Sequence, residues 1–203
     1  PPGGNATNLT ALGPGTYTVQ LLDANGCVKD TSFVVLEPAE IFANGIITDL
    51  TCNNNNSGEI NISPTGGSGG FLFDWDNDGT GDQDDAEDLF SLGAGTYCVT
   101  IIDQAQPLCQ LDTCFDITEA SAINISETVT NVACNGDSTG AINITVMGGV
   151  VATDYQYSWV GINTGFVSSS SNINTLVADQ YFITVTDDVG CQDSVNYDLI
   201  ENN

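Results

Sequence analysis

One signature occurs three times in this chain: LGPGTYTVQLLDANGC at Leu12–Cys27, LGAGTYCVTIIDQAQPLC at Leu92–Cys109 and LVADQYFITVTDDVGC at Leu176–Cys191. Each copy reads leucine, a small or turn-forming pair, tyrosine, a strand of alternating residues, aspartate, a turn and cysteine. Cys27, Cys109 and Cys191 fall 82 residues apart, as do Cys52 and Cys134, and Glu37, Glu119 and Glu201. A fixed spacing of this size means tandem copies of one domain. It predicts residues 1–38 as the C-terminal part of a preceding repeat, 39–120 as a first full repeat and 121–203 as a second. The opening residues match only the end of a repeat, so the 203 residues are expected to be a window of a longer protein.

Within each copy the apolar residues recur at every second position. Tyr17, Val19 and Leu21 alternate with Thr18 and Gln20, and Phe33 and Val35 continue the inner face of the next strand. In the first full repeat Ile46 and Ile47 lie in an expected first strand that ends near Cys52. Ile60 and Ile62 mark a second strand, Phe71, Phe73 and Trp75 a third, and Phe115 and Ile117 the last. The second full repeat follows with Ile142 and Ile144, then Tyr155, Tyr157 and Trp159, then Tyr181, Ile183 and Val185, then Tyr197 and Leu199. Alternation of this kind is the period of a half-buried strand. Short strands separated by Gly, Asn and Asp turns predict an all-β chain of immunoglobulin-like β-sandwiches stacked end to end. The tyrosine of the signature fits the tyrosine corner of such folds, and the tryptophan of the third strand fits the core anchor. The third signature has Val177-Ala178-Asp179-Gln180 where the second has a Gly-Thr turn, which leaves the geometry of that turn open.

The formal charge is −26, with one basic residue, Lys29, and no histidine. Such a surface repels nucleic acid and anionic membranes and favours divalent cations. No run of apolar residues is long enough to span a bilayer, so direct membrane insertion is not expected. Without histidine there is no Ser-His or Cys-His pair and no histidine metal site, and no glycine-rich phosphate loop precedes a helix. No enzymatic activity is expected. Seven cysteines, five of them at repeat positions, suggest disulfides formed in an oxidising compartment.

The acidic run DWDNDGTGDQDD is the sharpest local signal. Counting from Asp74 as the first position, Asp76, Asp78, Thr80, Asp82 and Asp85 stand where an EF-hand-type loop places oxygen ligands, with Gly79 at the sixth position. Clustered carboxylates repel unless a cation sits among them, and calcium takes six to eight oxygens. Calcium is therefore expected at Asp74, Asp76, Asp78, Thr80, Asp82 and Asp85, with Asp84, Glu87 or Asp88 as further donors. The alternative is a solvated acidic turn. The corresponding stretch Val160–Asn172 has no carboxylate, so the site should occur once.

Cys98 and Cys114 have no counterparts in the other repeats and lie on adjacent strands of one hairpin, where facing cysteines can bridge. Their alternative is two exposed thiols. Among the cysteines of the repeat itself, an immunoglobulin-like connectivity puts Cys52 and Cys109 at opposite poles of one domain. A strand of eight residues spans about 26 Å, whereas a disulfide needs Cα atoms within about 7 Å. End-to-end stacking then favours Cys52–Cys191 across the junction. Cys52–Cys109 with Cys134–Cys191 remains open if the topology differs.

The pattern TCNNNNSGEINI, GGSGGFLFDW and LGAGTYCVTIID, with its partner ACNGDSTGAINI, YQYSW and INTLVADQYFITVTDDVGC, resembles the SprB-type repeat of large surface adhesins of Bacteroidetes, including those of gliding motility. The resemblance implies secretion through the type IX system, display on the cell surface, and a role in adhesion or motility. Asp137-Ser138-Thr139 and Asp193-Ser194-Val195 are similar to the Asp-Ser/Thr-apolar O-glycosylation signal of that phylum, which marks Ser138 and Ser194. The expected function is a structural stalk segment whose partners are neighbouring repeats of the same chain, and also other surface proteins or glycans. Two other readings stand beside it. One is a glycan-binding module, for which Phe166 and Tyr155 are the candidate aromatics. The other is an accessory domain of a secreted hydrolase.

Overall fold

The computed structural model describes residues 8–76, 85–106 and 109–201, and every regular element in them is a β-strand. The first signature forms a hairpin of β1 (Gly15–Leu22) and β2 (Val28–Val35). A sandwich follows, built from β3 (Ala39–Thr48), β4 (Gly58–Gly67), β5 (Phe71–Trp75), β6 (Leu89–Leu92), β7 (Gly95–Asp103) and β8 (Gln110–Ile117). One of its sheets has the order β3-β4-β6, the other β5-β7-β8. The second sandwich repeats the plan with β9 (Asn124–Thr130), β10 (Gly140–Met147), β11 (Gln156–Gly161), β12 (Val167–Ser168), β13 (Ile173–Leu176), β14 (Asp179–Thr186) and β15 (Gln192–Leu199). Its sheets are β9-β10-β13 and β12-β11-β14-β15, and the short β12 is an edge strand that alternation alone did not reveal.

Strands form here because the two-residue period sends one set of side chains between the sheets. In β14, Tyr181, Ile183 and Val185 are buried while Gln180 stays exposed and Phe182 and Thr184 are half-buried. Trp75 and Trp159 lie at the centre of their cores with 0% and 1% exposure. Each indole packs on an aromatic ring of the last strand, Trp75 with Phe115 at 6.1 Å and Trp159 with Tyr197 at 6.0 Å. Each indole N–H donates to a carbonyl in the loop beyond the strand, Ala86 at 3.0 Å and Ser170 at 2.9 Å. Truncating a buried tryptophan costs about 3–5 kcal/mol, a large share of the stability of a domain this small.

All three signature tyrosines make the same corner. The hydroxyls of Tyr17, Tyr97 and Tyr181 donate to the carbonyls of Gly13, Gly93 and Val177, at 2.8, 3.1 and 3.1 Å. The corner needs only a backbone acceptor four residues upstream, so the altered turn before Tyr181 preserves it. The chain also crosses from one sheet to the other in the same way twice. Past β3, Leu50 N–H donates to Thr118 C=O, and past β9, Val132 N–H donates to Ile200 C=O, at 2.9 and 3.0 Å. Both side chains are buried, so each crossing closes one edge of its sandwich. These features define tandem immunoglobulin-like β-sandwiches.

Glycine is required where β4 and β10 end. Gly66 and Gly148 have φ of +90° and +88°, and a Cβ on either would collide with the carbonyl oxygen of Glu40 or Ala122. Elsewhere the inner face is not always covered. Val19, Leu21 and Phe33 of the first hairpin are 36%, 57% and 60% exposed. Ile46 of β3 faces solvent, and Ile41 occupies the core in its place.

One difference between the two cores leaves a polar atom without a partner. The hydroxyl of Tyr197 is buried and has no hydrogen-bond partner among the described residues. Burial, with the charges of Glu127 and Asp193 nearby, pushes its pKa up to about 12. At the same position of the first sandwich stands Phe115. Tyr197→Phe is expected to raise stability by about 1 kcal/mol, since the ring is kept and the unsatisfied hydroxyl removed. Urea denaturation of the two proteins checks it.

Candidate functional site

The strongest candidate site is the junction between the two sandwiches. It begins with the aspartate that ends each signature strand. Asp187 is 2% exposed. Its Oδ1 accepts from the amides of Val189 and Cys191 at 3.1 and 2.9 Å, and its Oδ2 from Val150 N–H at 2.8 Å. One carboxylate thus ties the β14–β15 turn to the loop after β10. Asp103 does the same work in the first sandwich, accepting from Ser68 N–H at 2.6 Å and Ala105 N–H at 2.9 Å. Gly67 and Gly149 pass against these carboxylates, where a Cβ would lie 2.7 and 2.8 Å from Oδ2. In the first hairpin, Asp23 Oδ1 accepts from Asn25 and Cys27 at 2.8 Å each.

These bonds also place the cysteine. The carbonyl of Cys27, Cys109 or Cys191 accepts from the amide of Asp23, Asp103 or Asp187, each at 3.0 Å. At the far pole, Glu119 and Glu201 hold the turn after the first strand of their own sandwich. Glu119 Oε2 accepts from Asn54 N–H at 2.7 Å, and Glu201 accepts from the Asn135 amide group at 2.6 Å and Gly136 N–H at 3.2 Å. The recurring glutamate therefore orders the turn that carries Cys52 or Cys134.

The two poles meet at the junction, where Cys52 is bonded to Cys191 with Cα atoms 5.6 Å apart. The bond closes a sequence separation of 139 residues, for which the chain-entropy account gives on the order of 5 kcal/mol. Asn53 also donates its side-chain amide to Ala120 C=O at 3.3 Å. A small cavity of ≈ 200 Å³ lies beside the bond, between Cys52, Ser121, Ile123, Gly149 and Asp193. A second disulfide, Cys98–Cys114, joins directly opposed residues of β7 and β8. The amide and carbonyl of Cys98 both bond Asp76, on the other side of the strand. Its pairing with Cys114 is thus the non-hydrogen-bonded kind, in which side chains approach closest. Thr18 and Ser32, opposed in the same way in the first hairpin, share a hydroxyl hydrogen bond of 2.9 Å instead.

Of the residues expected to hold calcium, Asp74, Asp76 and Asp85 are described, whereas Asp78, Thr80 and Asp82 lie outside the described residues. Asp76 Oδ1 accepts from Cys98 N–H at 3.0 Å and Asp85 Oδ2 from Trp75 N–H at 2.6 Å. Asp88 accepts from Ile62 N–H at 3.0 Å, as Asn172 does from Ile144 at 2.8 Å, so Asp88 holds the loop to β4. Ser138 and Ser194 are exposed. The two candidate aromatics are both packed. Phe166 meets Tyr181 edge-on at 5.6 Å, and Tyr155 donates to Gly148 C=O at 2.7 Å.

Asp179 was not anticipated. It is buried, and its carboxylate gathers the loop after β11, accepting from the Asn163 side chain at 2.7 Å and from the Thr164 amide and hydroxyl at 2.9 and 2.6 Å. Burial opposes the charge, but these donors outweigh it and hold the carboxyl far below its ordinary value. The signal was present as the acid that replaces the glycine of the turn.

Burial also pushes the Asp187 carboxyl upward, and the amides of Val150, Cys191, Val189 and Gly190 outweigh it, so the group ends below its ordinary value of 3.8. For Asp103 the Ser68 amide is the strongest influence and lowers it likewise. A depressed pKa stabilises the fold in full above the ordinary value and loses that contribution as pH falls below it. Asp187→Asn is expected to melt below the parent at pH 7, with the gap narrowing by pH 3. Thermal unfolding of both proteins at the two pH values tests this.

Several solved structures align with this chain at low identity. The N-terminal eight Ig domains of Down Syndrome Cell Adhesion Molecule align over 94% of this chain at 12% identity and a TM-score of 0.44, and this chain spans 28% of that one. An amphioxus IgVJ-C2 molecule aligns over 81% of this chain and 98% of its own, at 12% identity and a TM-score of 0.32. Domains 4 and 5 of the S-layer protein SbsC cover 81% of this chain and all of their own, at 13% identity and a TM-score of 0.29. No curated protein sequence matches. The SprB repeat family matches residues 44–80 and 126–164, which start at equivalent points of β3 and β9 and run past β5 and β11. The two matches fall one in each sandwich.

Proposed function

We propose that this chain is a stiff, non-enzymatic segment of a stalk in a large secreted, cell-surface adhesin or filament. The observation that carries the proposal is the Cys52–Cys191 bond across the junction. A single peptide linker would let the sandwiches hinge. A second covalent link beside the linker restricts that hinge, and the full swing then needs a bond to break. The two disulfides fit an oxidising, extracellular setting, and SprB repeats together with a β-sandwich architecture fit a structural or adhesive role. Among the described residues, no helix is long and apolar enough to cross a membrane. Small-angle X-ray scattering tests the stiffness. Cys52→Ser with Cys191→Ser is expected to broaden the distribution of interatomic distances while the circular dichroism spectrum is unchanged. Superimposable scattering would remove the staple from the account.

Calcium belongs to the same reading. In the second sandwich the buried carboxylate of Asp179 gathers the loop after β11. Gly95 begins β7 where Asp179 begins β14, and glycine has no side chain to gather a loop. The loop after β5 carries its own acids instead, and a calcium ion among Asp74, Asp76, Asp78, Thr80, Asp82 and Asp85 would supply the missing cross-link. Cation and carboxylates would exchange the roles that carboxylate and amides play in the second sandwich. Calcium is expected to raise the melting temperature of the chain and EGTA to reverse it. Asp78→Asn with Asp82→Asn is expected to abolish the response. Asp76 is the poorer choice because it also holds the Cys98 amide. A melting curve indifferent to calcium would overturn this part.

A further inference from the structure

The outer face of the sheet β12-β11-β14-β15 takes no part in the core. Trp159, Tyr181 and Ile183 point inward and are buried, so by alternation Val160, Phe182 and Thr184 point outward. Val167, Val160 and Phe182 stand side by side on three adjacent strands. Val167 and Val160 are exposed and Phe182 is half-buried. Ile162 follows just past β11, where its N–H donates to Gln180 C=O at 2.9 Å, and it is exposed as well. A contiguous apolar row of this kind on a solvent-facing sheet marks a contact surface.

Around that row the face is polar and nearly uncharged. Ser194 donates to the Thr184 hydroxyl at 3.1 Å, and Gln192 to the Thr186 hydroxyl at 3.1 Å. Gln180 donates to Asp198 at 3.0 Å, so the one acid among the outward residues of these strands already has a donor. The first sandwich differs at the equivalent positions. Counted from the two tryptophans and along the repeat, Asp74, Asp76, Asp112 and Asp116 stand where the second sandwich has Ser158, Val160, Ser194 and Asp198. The Cys98–Cys114 bond takes the place of Phe182 and Asn196. Four carboxylates on one face are thus reduced to one on the other.

We propose that this face of the second sandwich docks a second copy of the chain, sheet against sheet. Charge and area select that occupant. The chain carries −26 with one cation, Lys29 in the first hairpin, so another copy is repelled wherever carboxylates oppose carboxylates. On this face two copies meet without that cost. An apolar centre depleted of charge, with a hydrogen-bonding rim, is the composition of a protein interface. A two-fold axis in the plane of the contact runs along the strands or across them. Either keeps the two copies of Asp198 apart, because Asp198 lies near the end of the edge strand β15. Strands about 4.8 Å apart with about 3.4 Å per residue give the face a footprint on the order of 500 Å² per copy. A total of about 1,000 Å² is at the low end for a specific contact, so the dimer is weak and reversible. The opposite edge strand, β12, is two residues long and offers little backbone for pairing edge to edge. The contact is lateral and does not involve the Cys52–Cys191 bond.

The test is sedimentation velocity of the whole chain, with thiols capped by iodoacetamide, over a concentration series in low and high salt. A dimer that grows with concentration and with salt is expected, since salt screens the repulsion of the remaining surface. Val167→Asp puts a carboxylate into the apolar row of both copies and is expected to weaken the dimer by more than about tenfold. Ile46→Asp changes a side chain of equal exposure, 74%, on the first sandwich and is expected to leave the dimer unchanged. Circular dichroism of both variants checks that the fold is kept. A monomer at every concentration and salt would overturn the proposal. So would a dimer that Val167→Asp leaves intact, or one that Ile46→Asp weakens equally. A monomer whose Val160 and Phe182 amides shift in NMR spectra on addition of cellohexaose would give the face to a glycan and overturn it too. All of these results leave the stalk reading standing, because the scattering comparison turns on Cys52 and Cys191.

Discussion

The carboxylate at the end of the signature strand is the interaction from which the rest of each sandwich is assembled. Asp103 and Asp187 are buried, yet stay charged because backbone amides converge on them. A buried carboxylate without such donors would be costly. With them it locks two loops together at one pole and presents a cysteine there. At the other pole Glu119 and Glu201 do a similar task with an exposed carboxylate. Acidic side chains paired with backbone amides thus order both ends of the unit, which accounts for recurring acids in a chain that has one basic residue.

Ordered poles matter because the sandwiches are small. A domain of this size has a modest hydrophobic core, and neighbours or cross-links must supply what the core does not. The chain uses two kinds of link. Cys98–Cys114 ties two strands within one sheet, while Cys52–Cys191 ties one sandwich to the next.

Comparison of the two sandwiches shows one frame carrying different local solutions. At one core position Phe115 packs on tryptophan without polar cost, whereas Tyr197 brings an unsatisfied hydroxyl. At the loop after the tryptophan strand, one sandwich uses the Asp179 carboxylate, which Gly95 at the same position of the other cannot supply. The frame is set by features that both share: the indole N–H to the loop carbonyl, the tyrosine corner, the glycine pair and the aspartate.

The shared features were legible in the sequence because each depends on local spacing. Alternation every second residue marks a strand whatever it packs on, so β4, β5, β7 and β8 could be read with their counterparts. The tyrosine corner joins residues four apart, and the repeat itself made Trp75 and Trp159 recognisable as equivalent. Asp179 was less legible, since its donors Asn163 and Thr164 lie in another loop and no local pattern links them to it. The open inner face of the first hairpin is likewise invisible to alternation, which reports which side is apolar and says nothing of what covers it.

By itself, then, the sequence determined the repeat, the strand period, the corner tyrosines and the all-β class, because these follow from covalent spacing and backbone geometry. The tertiary structure decided which cysteines meet. Spacing left two pairings open, since both join the same kinds of residue. The choice depends on which poles face each other once the sheets have stacked, and only the folded junction brings Cys52 and Cys191 to within 5.6 Å.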